Sequence, residues 1–270
     1  MIREAILLGS KPASVVALLH LLGQGWVVKE VVASPSQPDW LPPPSLHDVA
    51  TKLGIRVVEH QDELMAADVD LVVSYMCRSL VTERTRARGK YALNFHAGPL
   101  PEFGGWAFYN VAILEGASQY GCTCHLMDDG FDTGPIVEVR RFEIDAAAET
   151  AVSLEKKAQE EMILLFMRVV SNYEQNGSLR FQHQDPEQMR YLDAQQFQTM
   201  KQIPLDANEE VVDRIARAFW YPPYDVAYYQ MPNGTKLEVI PAIAKNALAK
   251  DIHKNDLQDL LKLTGLPLNL

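Results

Sequence analysis

Apolar and polar positions alternate along the first half of the chain in blocks that predict strands and helices by turns. Apolar residues recur with helical spacing over 13–25 and 45–54. Between these helical blocks stand short apolar runs rich in β-branched or aromatic residues, which favour strands. The strand-like runs lie at 4–9, 26–34, 55–60, 69–75 and 91–97. This βαβα order predicts an α/β fold, Rossmann-like, with a mainly parallel sheet and helices on both faces.

The second half of the chain has a different pattern. Residues 120–144 predict a strand, a turn and a strand, and residues 148–177 predict a long helix that ends in Gly. Further on, residues 208–240 predict a helix, a Pro-Pro break and a hairpin that turns at Asn-Gly. We therefore expect a main domain over residues 1–185 and a small C-terminal α+β module over 186–270.

Composition and charge narrow the class of protein. The chain has 270 residues, with 25 Lys and Arg against 35 Asp and Glu, so its formal net charge is −10. This balance disfavours nucleic acid or an anionic membrane surface as the main partner. Neither a signal peptide nor a bilayer-length apolar run is recognisable. The expectation is a cytoplasmic protein that binds neither nucleic acid nor membrane.

The cysteines do not predict a metal site. The three are Cys77, Cys122 and Cys124, and none of them forms a C-x-x-C pair. A sparse, odd set of this kind is typical of reduced thiols. Because Cys122 and Cys124 stand two apart in a strand-like run, packing on one strand face is the simpler role for them.

Candidate chemistry begins where the fifth strand-like run ends. Asn94 and His96 stand two apart, so a strand directs both side chains to one face. Ligands of parallel sheets gather at the carboxyl ends of the strands. His commonly acts as a general acid or base, and Asn can donate to a developing oxyanion. Alternatively, both side chains only satisfy the turn that follows.

An acidic turn supplies a third element. The sequence DDGFDTGP at 128–135 places carboxylates between two predicted strands. A carboxylate there could orient His96 and stabilise its protonated form. The alternative is an ordinary Asp-Gly hairpin turn.

Together these motifs resemble a known family. NFHAGPLPEFGGW at 94–106 and YGCTCHLMDDGFDTGPIV at 120–137 resemble the 10-formyltetrahydrofolate-dependent formyltransferases, and most of all the sugar N-formyltransferases. The resemblance implies that residues 1–185 form the catalytic domain. It also implies the catalytic residues Asn94, His96 and Asp132.

The resemblance implies the binding residues as well. The co-substrate would be 10-formyltetrahydrofolate, and the chemistry needs no metal. Residues implied at the pterin are Arg78, Ser79, Leu80, Asp129, Gly130 and Phe131. Candidates for the acceptor are Trp106, Tyr109, Asn110, Trp220 and Tyr224, each of which could instead pack the protein interior.

The acceptor is the least determined part of this prediction. Residues 214–240 resemble the segment that follows the catalytic domain in the sugar enzymes, which favours a nucleotide-linked amino sugar destined for a surface glycan. Residues 186–270 carry nine Lys and Arg against eleven Asp and Glu, which disfavours tRNA. Methionyl-tRNA formyltransferase and a catalytically silent folate- or nucleotide-binding module are the alternatives. We expect a homodimer, because the hairpin at 226–240 needs a second subunit or the main domain to cover it.

Overall fold

A computed structural model of the protein describes residues 2–77, 79–105, 108–244 and 252–268. Its centre is a seven-stranded sheet, and two further sheets have two short strands each. The strands are β1 (Glu4–Gly9), β2 (Val27–Val32), β3 (Arg56–Val58), β4 (Val69–Tyr75), β5 (Gly89–His96), β6 (Gly104–Gly105), β7 (Gln119–Leu126), β8 (Ile136–Glu143), β9 (Tyr191–Leu192), β10 (Ala227–Gln230) and β11 (Lys236–Val239).

The order of strands in the main sheet is β3-β2-β1-β4-β5-β7-β8. The first five strands of the chain pair in parallel, whereas β7 is antiparallel to β5 and β8 is antiparallel to β7. This confirms the predicted Rossmann-like, mainly parallel sheet. Because the chain order reverses between β1 and β4, a crevice opens beyond the carboxyl ends of these two strands.

The helices connect these strands and extend into the C-terminal third. No helix in the described part of the chain is long and apolar enough to cross a membrane. The helices are α1 (Pro12–Gly23), α2 (Leu46–Lys52), α3 (Glu83–Arg86), α4 (Phe108–Leu114), α5 (Ala151–Asn176), α6 (Ala194–Thr199), α7 (Glu209–Ala218) and α8 (Asp256–Thr264).

Local sequence sets the ends of the long helix α5. The Thr150 hydroxyl accepts from the Ser153 N–H at 3.2 Å, and the Ser153 hydroxyl accepts from the Thr150 N–H at 2.9 Å. This reciprocal pair satisfies two backbone donors that the first turn leaves free. The helix ends before Gly177, whose φ of 65° is the left-handed conformation that favours glycine. The predicted helix end at residue 177 is therefore confirmed.

The two faces of the main sheet are covered unequally. On one face, Leu71, Val73 and Phe95 belong to a large apolar cluster that includes residues of α1 and α5. The opposite face has a smaller cluster, in which Ile6 and Val72 pack with residues of the short connections around 64 and 81. Double coverage explains why β1 and β4 are almost continuously apolar in sequence.

The C-terminal third packs against the rest of the chain through a shared core. Leu257 and Leu261 of α8 belong to the same buried cluster as Leu18 of α1. The predicted hairpin is present as the antiparallel pair β10–β11, and Gly234 in its turn has a φ of 87°. These features confirm the α+β character of this region, and we keep the division at residue 185 as a proposal.

Candidate active site

A cleft of about 730 Å³ opens beyond the carboxyl ends of the central strands. Lys11 follows β1, Met76 follows β4 and His96 ends β5, and all three line the cleft. A further part of the lining, called the second wall, comes from residues between 197 and 225. Residues of the main sheet region and of the C-terminal third therefore line one cleft. This cleft lies at the edge of the sheet where the sequence predicts the polar residues.

Asn94 is held at the end of β5 by a histidine of the neighbouring strand. In the β5–β7 register Asn94 lies opposite His125, and the Asn94 Nδ2 is 3.0 Å from the His125 Nε2. The His125 Nδ1 lies 2.8 Å from the Leu126 carbonyl oxygen, to which it donates. A neutral His125 in this tautomer accepts at Nε2, so the Asn94 amide donates to it.

His96 presents its two ring nitrogens to different partners. Its Nε2 is 2.7 Å from the carbonyl oxygen of Phe103, so this nitrogen carries a hydrogen and donates. Its Nδ1 faces the Asp132 Oδ1 at 3.5 Å. The ring is buried and lies edge-on to Phe108, with ring centroids 4.8 Å apart. The Nδ1 is therefore the atom at which His96 gains or loses a proton beside a carboxylate.

Asp132 is held in an uncommon backbone conformation. Its φ is 58°, a region that a residue other than glycine seldom adopts. The Gly105 N–H donates to its Oδ2 at 3.0 Å, and the Gln184 side chain donates to its carbonyl oxygen at 2.7 Å. Contacts from two distant segments thus fix the carboxylate against His96.

The environment of Asp132 determines its charge. Burial alone would raise the pKa of this carboxyl group. The neighbouring rings of His96 and His125, which lie 3.5 and 3.6 Å from its Oδ1, and the Gly105 N–H act in the opposite direction and prevail, so the pKa of Asp132 lies well below its usual range. Asp132 is therefore ionised at neutral pH and is a weak base.

The glycine of the Asp-Thr-Gly motif, Gly134, is required for a steric reason. A Cβ on Gly134 would lie 1.8 Å from the carbonyl oxygen of Leu126, which is impossible without movement of the backbone. That carbonyl is the acceptor for His125. Gly134 thus permits the close approach that brings the Asp132 turn beside the end of β7.

The loop after His96 contains Gly and Pro for a structural reason. A Cβ on Gly98 would lie 2.7 Å from the His96 Nε2, so a side chain there would crowd the imidazole. The Thr123 hydroxyl accepts from the Leu100 N–H at 2.9 Å and donates to the Gly98 carbonyl at 2.8 Å. The loop is therefore tied to β7 and leaves the ring of His96 in place.

The residues that the resemblance implies at the pterin are distributed as follows. Ser79, Leu80, Gly130 and Phe131 line the cleft. Asp129 does not line it, and its exposed carboxylate forms an ion pair with Arg86 instead. Arg78 lies outside the described residues, so its role at the pterin stays a prediction.

The acceptor candidates divide in the same way. Tyr109, Asn110 and Tyr224 line the cleft, and the Asn110 amide also donates to the Ala218 carbonyl at 2.5 Å. Trp220 is buried away from the cleft in a small apolar cluster that contains Val152, Val226 and Ala244. Trp106 lies outside the described residues. The roles of all these residues in binding stay predictions.

Two features of the site escape sequence reasoning. One is His125, which stands seven residues before Asp132 and contacts Asn94. The other is a polar cluster of Lys11, Glu155 and Tyr221 in the cleft wall. The Lys11 Nζ is 3.1 Å from the Glu155 Oε1 and 3.0 Å from the Tyr221 Oη, and Tyr221 also donates to Glu155. A signal for this cluster existed, because Glu155 stands on the apolar stripe of α5.

The cysteines differ in their position relative to the cleft. Cys122 and Cys124 are buried in β7, and burial raises the pKa of both thiols. All three cysteines are free, and Cys77 lines the cleft. Among the residues that the structure describes, no three His, Cys, Asp or Glu side chains are grouped so that they could hold a metal ion.

The chain is similar in sequence to known formyltransferases. Methionyl-tRNA formyltransferase of Listeria innocua serovar 6a is 28% identical over 193 residues, which cover 67% of this chain and 61% of that protein. GDP-perosamine N-formyltransferase of Brucella melitensis biotype 1 is 26% identical over 183 residues, which cover 65% and 66% of the two chains. The chain thus spans about three fifths of the length of the first of these relatives.

A solved structure extends the similarity to most of the fold. The N-formyltransferase of Helicobacter canadensis, in complex with folinic acid and dTDP-3-aminofucose, has a TM-score of 0.70 at 20% identity. The superposition covers 88% of this chain and 86% of that one, which shows a common fold. The family model for formyl transferase matches residues 31–170, a segment that contains Asn94, His96, His125 and Asp132. By this match, which covers more than half of its residues, the chain belongs to the formyl transferase family.

Proposed function

We propose that this protein transfers a formyl group from 10-formyltetrahydrofolate to the amine of a nucleotide-linked amino sugar. The observation that carries the proposal is the convergence of Asn94, His96 and Asp132 in one cleft. In the reaction the amine nitrogen bonds to the formyl carbon, the bond from that carbon to N10 of the folate breaks, and the proton lost by the amine is balanced by one gained at N10. Orientation and charge stabilisation suffice for this chemistry.

Asn94 is the proposed donor to the formyl oxygen. Its amide nitrogen has two hydrogens, and the contact with His125 at 3.0 Å uses one of them. The second can donate to the oxygen on which negative charge develops. His125 therefore acts as a positioning residue that sets the direction of the amide.

His96 and Asp132 are proposed to act as a pair. Since the His96 Nε2 is occupied by the Phe103 carbonyl, a proton taken up by this ring goes to the Nδ1, which faces Asp132. The lowered pKa of Asp132 favours a carboxylate that holds a positively charged His96, rather than a base that takes the amine proton itself. The resulting cation lies in the cleft where the oxyanion forms.

The part of the cleft lining that contains Leu80 and Phe131, called the first wall, fits a pterin ring. Leu80 and Phe131 expose much of their apolar surface there, with relative exposures of 41% and 53%. In the turn that contains Phe131, the Asp128 carboxylate accepts from the Gly130 N–H at 3.1 Å and from the Thr133 hydroxyl at 2.7 Å, which fixes the turn. A flat heterocycle could pack on these side chains while backbone groups bind its polar edge.

The second wall favours a sugar nucleotide as acceptor. Phe219, Tyr221 and Tyr224 line it, and aromatic rings of this kind stack well on sugars and bases. The similarity to the Brucella GDP-perosamine N-formyltransferase supports the same class of acceptor. Residues 186–270 have no excess of positive charge with which to bind a tRNA backbone.

Acceptor choice can be tested directly. We expect the purified protein, given 10-formyltetrahydrofolate and a panel of nucleotide amino sugars, to add one formyl group to at least one of them, as read by product mass. Initiator methionyl-tRNA should stay unformylated under the same conditions. The control is each acceptor incubated without protein.

Methionyl-tRNA formyltransferase is the second candidate function, favoured by the 28% identity to the Listeria enzyme. Robust tRNA formylation without sugar turnover would put this candidate first. Turnover of neither acceptor, combined with folate binding, would instead favour the catalytically silent module.

Assembly as a homodimer stays a prediction that the hairpin makes testable. Tyr229 and Val239 pack on the core, whereas Leu237, which pairs with Tyr229 on the same face of β10–β11, is 49% exposed and Ile240 is 55% exposed. We expect the protein to be a dimer by light scattering. Leu237→Asp should shift it toward monomer, because the dimer would bury an unpaired charge.

A matched control separates this effect from a general loss of solubility. Met65→Asp adds the same charge at an exposed apolar residue that lies just before β4, and it should leave the dimer unchanged. A wild-type protein that stays monomeric well above its assay concentration would contradict the dimer.

A further inference from the structure

Lys201 is an unusual residue in the second wall of the cleft. It is 5% exposed, and it lines the cleft just after α6. Its carbonyl accepts from the Tyr228 N–H at 3.0 Å, and the Ile203 N–H donates to the Tyr228 carbonyl at 2.8 Å. The hairpin therefore fixes the backbone of Lys201 in the cleft lining.

The charge of Lys201 is not neutralised by a neighbour. Its Nζ lies 5.0 Å from the centroid of the Phe197 ring, and no carboxylate of the described residues comes within ion-pair distance of it. Burial lowers the pKa of this group, while Asp225 attracts its charge from further away and Lys236 repels it. The Nζ is not among the described buried polar atoms that lack a partner, so water in the cleft reaches it, and an anionic ligand can take the place of that water.

The other cleft lysine shows the contrast. Lys11 has a carboxylate partner, since its Nζ lies 3.1 Å from the Glu155 Oε1. A phosphate near Lys11 would have to compete with Glu155, whereas Lys201 forms no ion pair with a carboxylate of the described residues and feels Asp225 and Lys236 only through their charges. Of the two lysines, Lys201 is therefore the one suited to an incoming anion.

We propose that Lys201 binds the phosphate oxygens that join the sugar to the nucleoside in the acceptor. This inference rests on the proposed function. Gln198 lies three residues earlier and lines the same wall, where its amide adds a further donor. Tyr221 and Tyr224 on that wall suit the rings on either side of a diphosphate, and the Asp225 carboxylate there can accept from a sugar hydroxyl.

The folate tail is the competing source of negative charge, because its glutamate also ends in carboxylates. Lys201 belongs to the second wall, built by residues 197–225, whereas Leu80 and Phe131 belong to the first wall, where we propose that the pterin binds. This placement favours the acceptor. The two sources make different predictions for kinetics.

The first test measures anion binding without any catalysis. We expect the full-length protein to bind inorganic pyrophosphate in isothermal titration calorimetry, and Lys201→Met to weaken that affinity about 10- to 100-fold, the usual worth of a charge-assisted contact. Met keeps an unbranched apolar stem beside Phe197, and Lys201→Arg should retain most of the affinity. Lys52→Met removes the same charge from the exposed surface of α2 and should change nothing.

The second test measures where the charge acts during turnover. Lys201→Met should raise KM for the nucleotide amino sugar by a similar factor, with KM for 10-formyltetrahydrofolate unchanged. A rise in KM for 10-formyltetrahydrofolate alone would assign the ammonium to the folate tail and overturn the inference.

The two tests also separate this inference from the proposed function. Equal pyrophosphate affinity in the wild type and Lys201→Met would overturn the subsite whatever the enzyme formylates. Lysine-dependent pyrophosphate binding in a protein that formylates no nucleotide sugar would keep the anion subsite and remove the proposed reaction. A melting-temperature scan of each variant confirms that the fold persists.

Discussion

Replacing His96 by Asn or Asp132 by Asn should lower the turnover number of formyl transfer about a thousandfold, the usual effect of losing a catalytic acid–base group or a charge that stabilises the transition state. His96→Asn removes the Nδ1 that faces Asp132 at 3.5 Å. Asp132→Asn keeps an oxygen for the Gly105 N–H but removes the negative charge beside His96. Both variants should fold and should bind folate, because neither changes the first wall of the cleft.

Two surface variants control for the substitutions themselves. His183→Asn and Asp206→Asn make the same chemical changes at exposed side chains, and both should turn over like the wild type. Steady-state kinetics with saturating 10-formyltetrahydrofolate makes the comparison. Turnover within a few-fold of the wild type in either His96→Asn or Asp132→Asn would refute the assigned pair.

Sequence reasoning points to His96 and Asp132 by different routes. The period of a strand predicts that Asn94 and His96 share one face, whereas only the resemblance to the formyltransferases selects Asp132 among the carboxylates of its turn. Gly134, two residues after Asp132, is a local mark of that turn, since a Cβ there would lie 1.8 Å from the Leu126 carbonyl. The fold follows for a similar reason, because strand and helix periods differ and the parallel order leaves few topologies.

Sequence reasoning does not identify His125, and the reason is physical. Its contact with Asn94 depends on the register of β5 with β7, which are antiparallel and separated by α4 in the chain. A shift of one residue would turn His125 to the other face of the sheet. The sequence pattern does not determine that register.

The aromatic residues after α7 illustrate the same limit. Trp220 and Tyr224 stand in one aromatic, proline-containing run, yet Trp220 is 8% exposed in an apolar cluster and Tyr224 is 49% exposed at the cleft. No regular period relates the two positions, because the chain between them forms a turn. Their orientation depends on tertiary packing alone.

The polar cluster of Lys11, Glu155 and Tyr221, which sequence reasoning missed, yields the second strong prediction. It joins the loop after β1, the helix α5 and the segment after α7. Lys11 and Glu155 have side chains that are only 10% and 3% exposed. Burial and the Glu155 carboxylate raise the pKa of Tyr221, so its hydroxyl stays protonated and donates to Glu155.

Lys11→Met should lower the free energy of unfolding by about 3–5 kcal/mol, because it leaves the Glu155 carboxylate buried without its cation. Urea unfolding at neutral pH measures the loss. The double variant Lys11→Met, Glu155→Gln should recover part of it, since the charge that lacks a partner is gone. Lys262→Met is the matched control, because it breaks an exposed pair with Asp259 whose side chains are 76% and 53% exposed, and it should cost less than about 1 kcal/mol. If Lys11→Met lowered the free energy of unfolding no more than Lys262→Met does, the cluster would not stabilise the packing of the C-terminal third against the sheet.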